Sequence, residues 1–269
     1  VDSIITLSGS SIFKPWTSRN RRKILNSRVE SLEFLKQSII ENGISIKRLV
    51  SASGISFYPD SKEKEFFEND TTNDNSFLAE VINSWEAAAN LFKNIGINVS
   101  IIRIGLVLSI KGGVLKETLM PMNFGFGIVF GHGEQWQSWI HIEDISRIFL
   151  FMLEKDLSGV YNGVSKNPLT NLEFTRIISS NFSIMPYTLK IPRIFFKILF
   201  FIILKNSFLY LKNYYQTKNN EIYFLIPVII IFLVEMWPLR SSGSFFTTWN
   251  STFFWLYFPL LITFQKTKN

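Results

Sequence analysis

Tyr58 and Lys62 are residues whose types and spacing could transfer a proton. On a helix, a spacing of four places both side chains on one face, where an ammonium group can promote proton transfer from a phenol. The residues between them, Pro59-Asp60-Ser61, instead have the composition of a turn. The pair is therefore a candidate whose geometry the spacing alone does not guarantee.

A second candidate is the glycine run Gly125, Gly127 and Gly131, which fits a loose dinucleotide-binding fingerprint. A functional fingerprint follows a strand and opens a helix, so that a pyrophosphate meets the helix N-terminus. Here the glycines lead into Gly133 and a Trp-rich stretch. We therefore predict a flexible binding loop rather than a phosphate site.

The stretch GHGEQWQSWIHIEDI is dense in side chains that form hydrogen bonds. Five of these side chains are the indoles of Trp136 and Trp139, the imidazole of His141 and the carboxylates of Glu143 and Asp144. The two carboxylates suit the first turn of a helix, where negative charge is favoured by the helix dipole. The two Trp either line a ligand pocket or belong to the core, and both interpretations stay open.

The composition of the chain argues against several kinds of site. The chain has 269 residues, a net charge of +7, two His and no Cys. The lack of Cys excludes disulfides and thiolate metal sites, and two His argue against a His-based zinc site. The one dense basic cluster, residues 19–23, lies at the start of a predicted helix. We expect it to form a solvent-exposed helix face rather than a nucleic-acid-binding site. We therefore expect neither a metal site nor a nucleic-acid partner.

Strand and helix patterns alternate from residue 1 to about 180. We predict strands at 1–9, 45–53, 98–108 and 160–164, and helices at 18–42, 77–96, 141–159 and after a capping box at 170–173. This alternation predicts an α/β fold with a parallel sheet and helices on both faces. Ligands bind beyond the carboxyl ends of such strands, where Ser8, Gly9, Ser53 and Gly105 are expected.

Six segments then point to a family: VDSIITLSG, WTSRNRRKILNSRVES, SASGISFYPD, FLAEVINSWEAAA, IIRIGLVLSIKGGVL and GEQWQSWIHIEDI. Together, over residues 1–190, they resemble the atypical extended short-chain dehydrogenase/reductases called epimerase family proteins, which are nucleoside-diphosphate-sugar epimerase-like. The resemblance implies a Rossmann-like domain that uses NAD or NADP in the cytoplasm. It also implies a small-molecule substrate, with a nucleotide sugar as one candidate, held by loops after the later strands.

With this resemblance, site roles can be assigned. The candidate catalytic residues are Ser53, at the strand end where the superfamily places its catalytic Ser, and Tyr58. The candidate cofactor-binding residues are Ser8, Gly9, Arg103 and Gly105, and the candidate substrate-binding residues are Trp136, Trp139 and His141.

The chain also departs from the family pattern. Its first strand resembles the fourth strand of the family's fold, so about sixty residues with the Gly-rich phosphate-binding turn are expected to be missing. The catalytic Tyr and Lys of the superfamily fall near Leu78 and Ile82, so the corresponding helix carries neither. We therefore expect the chain alone to be inactive and to bind neither NADH nor NADPH. The sequence does not distinguish NAD from NADP.

Three apolar runs follow residue 194: IFFKILFFIILKNSFLYL, EIYFLIPVIIIFLVEMW and STFFWLYFPLLITF. Their lengths approach that of a membrane span, and aromatic residues lie near their ends. We predict two or three apolar helices over 194–264 that associate with a membrane, although buried helices or strands of a soluble core are the alternative. Residues 200–264 resemble the end of an O-antigen ligase/polymerase-type membrane protein. The alternative function is therefore a fragment of surface-polysaccharide assembly, and a natural fusion or a join of two genes both stay open.

Overall fold

The computed structural model describes residues 2–12, 15–71, 74–182 and 187–191. The apolar helices predicted within 194–264 lie outside these residues, so their number and their membrane association stay predictions. Within the described ranges, no helix is both long enough and apolar enough to cross a membrane.

Strands and helices alternate through the described chain, as the sequence pattern predicts. The helices are α1 (Ser18–Glu41), α2 (Phe77–Asn90), α3 (Val114–Asn123), α4 (Ile142–Lys155) and α5 (Asn171–Ser179). The strands are β1 (Ser3–Thr6), β2 (Arg48–Gly54), β3 (Asn98–Ile104), β4 (Leu106–Leu108), β5 (Phe126–Phe130), β6 (Trp136–Gln137), β7 (Trp139–His141), β8 (Gly159–Gly163), β9 (Leu169–Thr170) and β10 (Tyr187–Ile191).

The main sheet has four parallel strands in the order β1-β2-β3-β8. It lies in the first of two compact units, which contains residues 1–12, 16–116 and 134–174. Five consecutive residues are buried in β2 and five in β3, so both faces of these central strands are covered. This arrangement confirms the predicted Rossmann-like α/β fold with a parallel sheet.

Side-chain caps mark the starts of three helices. Thr17 accepts a hydrogen bond from the Asn20 N–H at the start of α1, and Ser76 does the same for Ala79 at the start of α2. The predicted capping box is also present, because Glu173 accepts from Thr170 and the Thr170 side chain accepts from the Glu173 N–H. These caps determine where the helices start and hence the lengths of the loops before them.

The predicted strand over 98–108 is interrupted at Gly105. A Cβ built on Gly105 would lie 2.3 Å from the Ser138 carbonyl oxygen and 2.8 Å from Val164 Cγ1. The absence of a side chain therefore lets the segment 136–139 pass directly against the end of β3. After Gly105 the chain leaves the main sheet, and β4 pairs with β7 in a separate two-stranded sheet.

The helix predicted over 141–159 ends earlier than expected. It stops at Lys155, and Asp156 takes the left-handed conformation with φ 52°, which Asp tolerates better than most residues. The Asp156 carboxylate accepts hydrogen bonds from Arg48 Nε at 2.7 Å and Asn98 Nδ2 at 2.9 Å. Helix α4 is therefore terminated by contacts with the first residues of β2 and β3 rather than by the predicted Gly159.

The second unit corrects the prediction of a flexible glycine loop. Residues 126–130 form β5, which pairs in parallel with β10. A Cβ on Gly127 would lie 3.0 Å from Ser179 Oγ and 3.3 Å from Thr175 Cγ2, so this glycine admits α5 close to the strand. The alternation of Phe126, Ile128 and Phe130 is a strand pattern that the glycine spacing conceals.

We predict that Gly105→Ala destabilises the protein strongly, by about 1–3 kcal/mol or more, because the new methyl group meets backbone rather than a movable side chain. Gly112→Ala is the matched control, since a Cβ there meets nothing within 4 Å. Urea unfolding of the full chain measures both variants. Equal stability of the two would contradict the close approach at Gly105.

We predict a pH-dependent loss of stability from Asp156. The hydrogen bonds from Asn98 and Arg48 hold the pKa of Asp156 below its ordinary value. A lowered folded-state pKa means that the stabilisation is complete above the unfolded-state pKa, about 3.9, and is lost as the pH falls through the folded-state pKa.

Asp156→Asn keeps a residue that tolerates the left-handed conformation but removes the titration. In urea unfolding at stepped pH, the wild-type protein should be the more stable at neutral pH, and the gap should shrink below about pH 4. A gap that stays constant with pH would contradict this assignment.

Candidate functional site

Arg103 and Glu86 form a buried ion pair at the carboxyl end of the main sheet. Arg103 Nε donates to Glu86 Oε1 at 2.8 Å, and Arg103 Nη2 donates to Oε2 at 2.9 Å. The Arg103 side chain is 4% exposed and the Glu86 side chain 10% exposed. Ser53 in β2 lies opposite Arg103 in the pairing with β3. Its hydroxyl donates to Glu86 Oε1 at 2.7 Å, the oxygen that also accepts from Arg103 Nε. Strand β3, strand β2 and helix α2 are thereby joined through one carboxylate.

Tyr58 attaches to this pair from the loop after β2. Its hydroxyl accepts from Arg103 Nη1 at 2.8 Å and donates to Asn162 Oδ1 at 2.9 Å. The guanidinium carbon lies 3.4 Å from the centroid of the Phe57 ring, in a cation–π contact. Ser53 and Tyr58, the two predicted catalytic residues, are therefore bound to the same Arg103–Glu86 pair.

The charge on Arg103 is stabilised by these contacts. Burial works to lower its pKa, but the hydrogen bonds from its guanidinium to Glu86 and Tyr58 outweigh burial and raise the pKa above its ordinary value. Arg103 therefore remains a cation, with two of its N–H groups directed to Glu86 and a third group to Tyr58.

Three members of the cluster were not predicted from the sequence. Glu86 supplies the carboxylate, Asn162 in β8 accepts from Tyr58, and Glu68 accepts from the Asn162 N–H at 2.8 Å. Glu86 carried a usable signal, because it is a carboxylate on the buried face of α2 between Trp85 and Ala89. A charge on an apolar helix face requires a buried partner.

Lys62 does not join Tyr58 in the described structure. Its ammonium pairs with Glu134 at 2.7 Å, and both side chains are largely exposed. The residues between Tyr58 and Lys62 form no helix, as the turn composition predicts. Leu78 and Ile82, near which the resemblance predicts the positions of the superfamily's catalytic pair, are both buried and apolar. Helix α2 thus offers no proton-transferring group at these positions.

The Trp-rich stretch anchors loops through its indoles. Trp136 Nε1 donates to the Lys62 carbonyl and Trp139 Nε1 to the Asn167 carbonyl, each at 3.0 Å. His141 is the N-cap of α4, where its Nδ1 accepts from the Glu143 N–H at 3.3 Å. These contacts support a bracing role, while the substrate-binding assignment of Trp136, Trp139 and His141 stays a prediction.

The predicted cofactor residues occupy three different settings. Arg103 is held in the ion pair, and Gly105 is explained by the packing of Ser138 against it. Ser8 shares a 3.1 Å hydrogen bond with Ser31, and a Cβ on Gly9 would lie 2.9 Å from the guanidinium carbon of Arg28. Packing accounts for these residues in the described structure, and their contact with a cofactor stays a prediction.

The guanidinium of Arg28 closes the loop after β1. It donates to the carbonyls of Ser10 at 3.1 Å and Ile24 at 2.9 Å. Burial lowers the pKa of Arg28 below its ordinary value. Its carbonyl partners and the Trp85 ring, 4.9 Å away, hold this side chain behind the turn at Gly9.

We predict that Glu86→Met alone destabilises the protein by about 3–5 kcal/mol, because it leaves the Arg103 charge buried without a counter-ion. The double variant Glu86→Met/Arg103→Met should recover much of this loss, since Met fills similar volume without charge. Urea unfolding of the two single variants and the double variant completes the cycle. Additive losses would show that the two groups are not coupled.

The chain is similar in sequence to proteins of one known family. A model of the NAD dependent epimerase/dehydratase family matches residues 1–163. The epimerase family protein YfhF of Bacillus subtilis is 32% identical over 196 residues, which are 72% of this chain and 64% of YfhF. An epimerase family protein of Staphylococcus epidermidis is 35% identical over 163 residues, which are 60% of this chain and 54% of that protein. The chain therefore spans less than two thirds of the length of these relatives.

Solved structures agree with the fold. Human epimerase family protein SDR39U1, solved with NADPH, is 29% identical with a TM-score of 0.68, over 74% of this chain and 68% of that one. The nucleoside-diphosphate sugar epimerase of Corynebacterium glutamicum is 32% identical with a TM-score of 0.57, over 66% and 38%. The Bacillus cereus UDP-glucuronic acid 4-epimerase, at 17% identity and a TM-score of 0.59, supports the fold alone. On the family match and these relatives, the chain belongs to the NAD dependent epimerase/dehydratase family.

Proposed function

We propose that this chain carries the substrate side of an NAD(P)-dependent epimerase or oxidoreductase that acts on a hydroxyl-bearing small molecule, with a nucleotide sugar as the first candidate. The observation that carries this proposal is the hydrogen-bonded cluster of Ser53, Tyr58 and Arg103 at the carboxyl ends of β2 and β3. In parallel α/β sheets this edge is where ligands bind. The proposed location of this domain is the cytoplasm, where such dinucleotides are used.

The described residues fit only part of a dinucleotide. The cluster supplies hydroxyl and N–H groups that suit a polar ring, whereas a pyrophosphate needs a Gly-rich turn that opens a helix. In the described ranges, the glycines of 125–133 flank or lie within β5, and the loop after β1 has Gly9 alone. The pyrophosphate therefore has no fitting site among these residues.

Tyr58 is the proposed acid or base of the site. Its hydroxyl can exchange a proton with a substrate hydroxyl, and the Arg103 N–H group would stabilise negative charge that develops on the phenol oxygen. Asn162 orients the phenol through the hydrogen bond that it accepts. Ser53 donates to Glu86, which leaves its oxygen able to accept a hydrogen bond from substrate.

The experiment compares the full chain with a hybrid in which the part of YfhF upstream of the matched region precedes residue 1. Fluorescence titration with NADH and NADPH should detect binding by the hybrid and not by the chain alone. The hybrid should also turn over a nucleotide sugar, which is checked with a panel of such sugars. A folded hybrid that binds dinucleotide but converts none of them would overturn the proposed substrate class, and one that binds no dinucleotide would overturn the whole proposal. Micromolar binding by the chain alone would contradict the expected lack of a phosphate site.

We predict that Tyr58→Phe in the hybrid lowers turnover by about 10²–10⁴-fold while dinucleotide affinity stays close to wild type. Loss of the hydroxyl takes a hydrogen-bond partner from Arg103 and from Asn162, so the free energy of unfolding should fall by about 1–3 kcal/mol while the variant still folds. Tyr161→Phe is the matched control, because the Tyr161 hydroxyl donates to the nearby Ser158 carbonyl and, among the described residues, is not bonded to the Arg103–Glu86 pair. Steady-state kinetics on both variants tests the role. Equal activity of the two variants would show that Tyr58 only packs beside the site.

A further inference from the structure

Gln137 is a buried amide without a hydrogen-bond partner. Its residue is 6% exposed, and neither its side-chain oxygen nor its side-chain nitrogen is paired within the part of the chain that the structure describes. A buried carboxamide that forms no hydrogen bond is destabilising relative to an apolar group of the same shape. Such a group calls for a physical explanation, and neither the fold nor the Arg103–Glu86 pair supplies one.

The backbone on both sides of Gln137 is held at the edge where ligands bind. On one side, the Trp136 indole donates to the Lys62 carbonyl, in the loop that follows β2. On the other, the Ser138 carbonyl accepts from the Leu106 N–H at 2.8 Å and lies against Gly105, just beyond the carboxyl end of β3. Gln137 therefore lies in a segment fixed near the end of β3, the strand that carries Arg103.

The strand pairing also limits the motion of Gln137. It belongs to β6, which pairs antiparallel with β9 so that Gln137 lies opposite Leu169. Alternation along the strand leaves the neighbouring Trp136 half exposed while Gln137 is buried. The amide is thus on the covered side of a short, anchored strand, so little conformational entropy is left to lose when it binds a ligand.

We propose that Gln137 is a ligand-binding residue that recognises a planar group carrying an N–H donor beside a C=O acceptor. A carboxamide presents one acceptor and one donor side by side, and such an edge is its complement. The imide edge of a uracil base and the carboxamide of a nicotinamide ring share this chemistry. The inference deepens the proposed function, on which it rests, by naming a contact for the substrate base or the cofactor ring.

The test combines stability and binding on the full chain. Gln137→Met keeps the unbranched shape and removes both polar atoms, and Gln37→Met makes the same change on the exposed surface of α1. Thermal unfolding is measured for both variants. Ligand-detected NMR measures affinity for uridine monophosphate in one arm and for nicotinamide mononucleotide in the other. Each arm includes an analogue without the N–H group: the ring-N-methylated uridine nucleotide, or the acetylpyridine mononucleotide.

We expect Gln137→Met to raise the unfolding temperature and to weaken binding in one arm by about tenfold or more. In the same arm, the analogue without the N–H group should bind the wild-type protein as weakly as the unmodified nucleotide binds Gln137→Met. The control Gln37→Met should change neither the unfolding temperature nor the affinity. The arm in which the affinity falls shows whether Gln137 binds a uracil base or a nicotinamide ring.

Four results would overturn the inference. A lower unfolding temperature for Gln137→Met would mean that the amide is already satisfied in the free protein. Unchanged affinity in both arms, or no wild-type binding of either probe, would mean that Gln137 does not bind this class of ligand. If the hybrid with YfhF still turns over a nucleotide sugar when Gln137 is Met, with unchanged kinetics, the inference fails while the proposed function stands.

Discussion

The buried ion pair between Arg103 and Glu86 is the interaction on which the site depends. Two charges removed from water need good geometry and further hydrogen bonds to be tolerated, and here the pairing is bidentate. Ser53 adds a third hydrogen bond to the carboxylate, and Tyr58 uses a remaining N–H of the guanidinium. Two central strands, a helix and a loop are therefore held by one charge pair, and a shift of any of them would break a hydrogen bond to a buried charged group.

This constraint also decides what Arg103 does. A guanidinium at a strand end in a dinucleotide-type fold could be directed at a phosphate, but most of its N–H groups are already bonded to Glu86 and Tyr58. The hydrogen bonds to Glu86 and Tyr58 raise its pKa against the effect of burial, so Arg103 stays charged, and the same hydrogen bonds hold it in place. Its role toward a ligand is thus indirect, through the orientation of Tyr58 and the field at the phenol oxygen.

The Trp-rich stretch has a consistent physical explanation. Its two indoles donate to carbonyls of other loops, its His caps α4, and its carboxylates occupy the first turn of that helix. These hydrogen-bonding side chains hold an irregular segment against the sheet edge, where backbone groups would otherwise lack partners. Gln137 is the exception, since its amide is buried but unpaired among the described residues.

The sequence by itself determined the fold class and the order of most elements. Apolar periodicity, the capping box of Thr170 and Glu173, and the alternation of strand and helix are local properties, and the structure follows them. The family resemblance likewise depends on short local motifs. Local patterns failed where the chain meets distant segments. Helix α4 ends at Lys155 because Arg48 and Asn98 bind the carboxylate of the next residue, Asp156. Strand β3 ends at Ile104 because Ser138 passes against Gly105.

The tertiary structure alone decided how the site is assembled. Ser53 and Tyr58 could be proposed from the sequence, but their common link to Arg103 required Glu86, which lies 33 residues from Ser53 along the chain. The partner of Tyr58, Asn162, is 104 residues away. Likewise the pairing of Lys62 with Glu134 rather than Tyr58 spans 72 residues. Hydrogen bonds of a few ångströms between groups so far apart depend on the packing of the whole sheet, which no spacing in the sequence records.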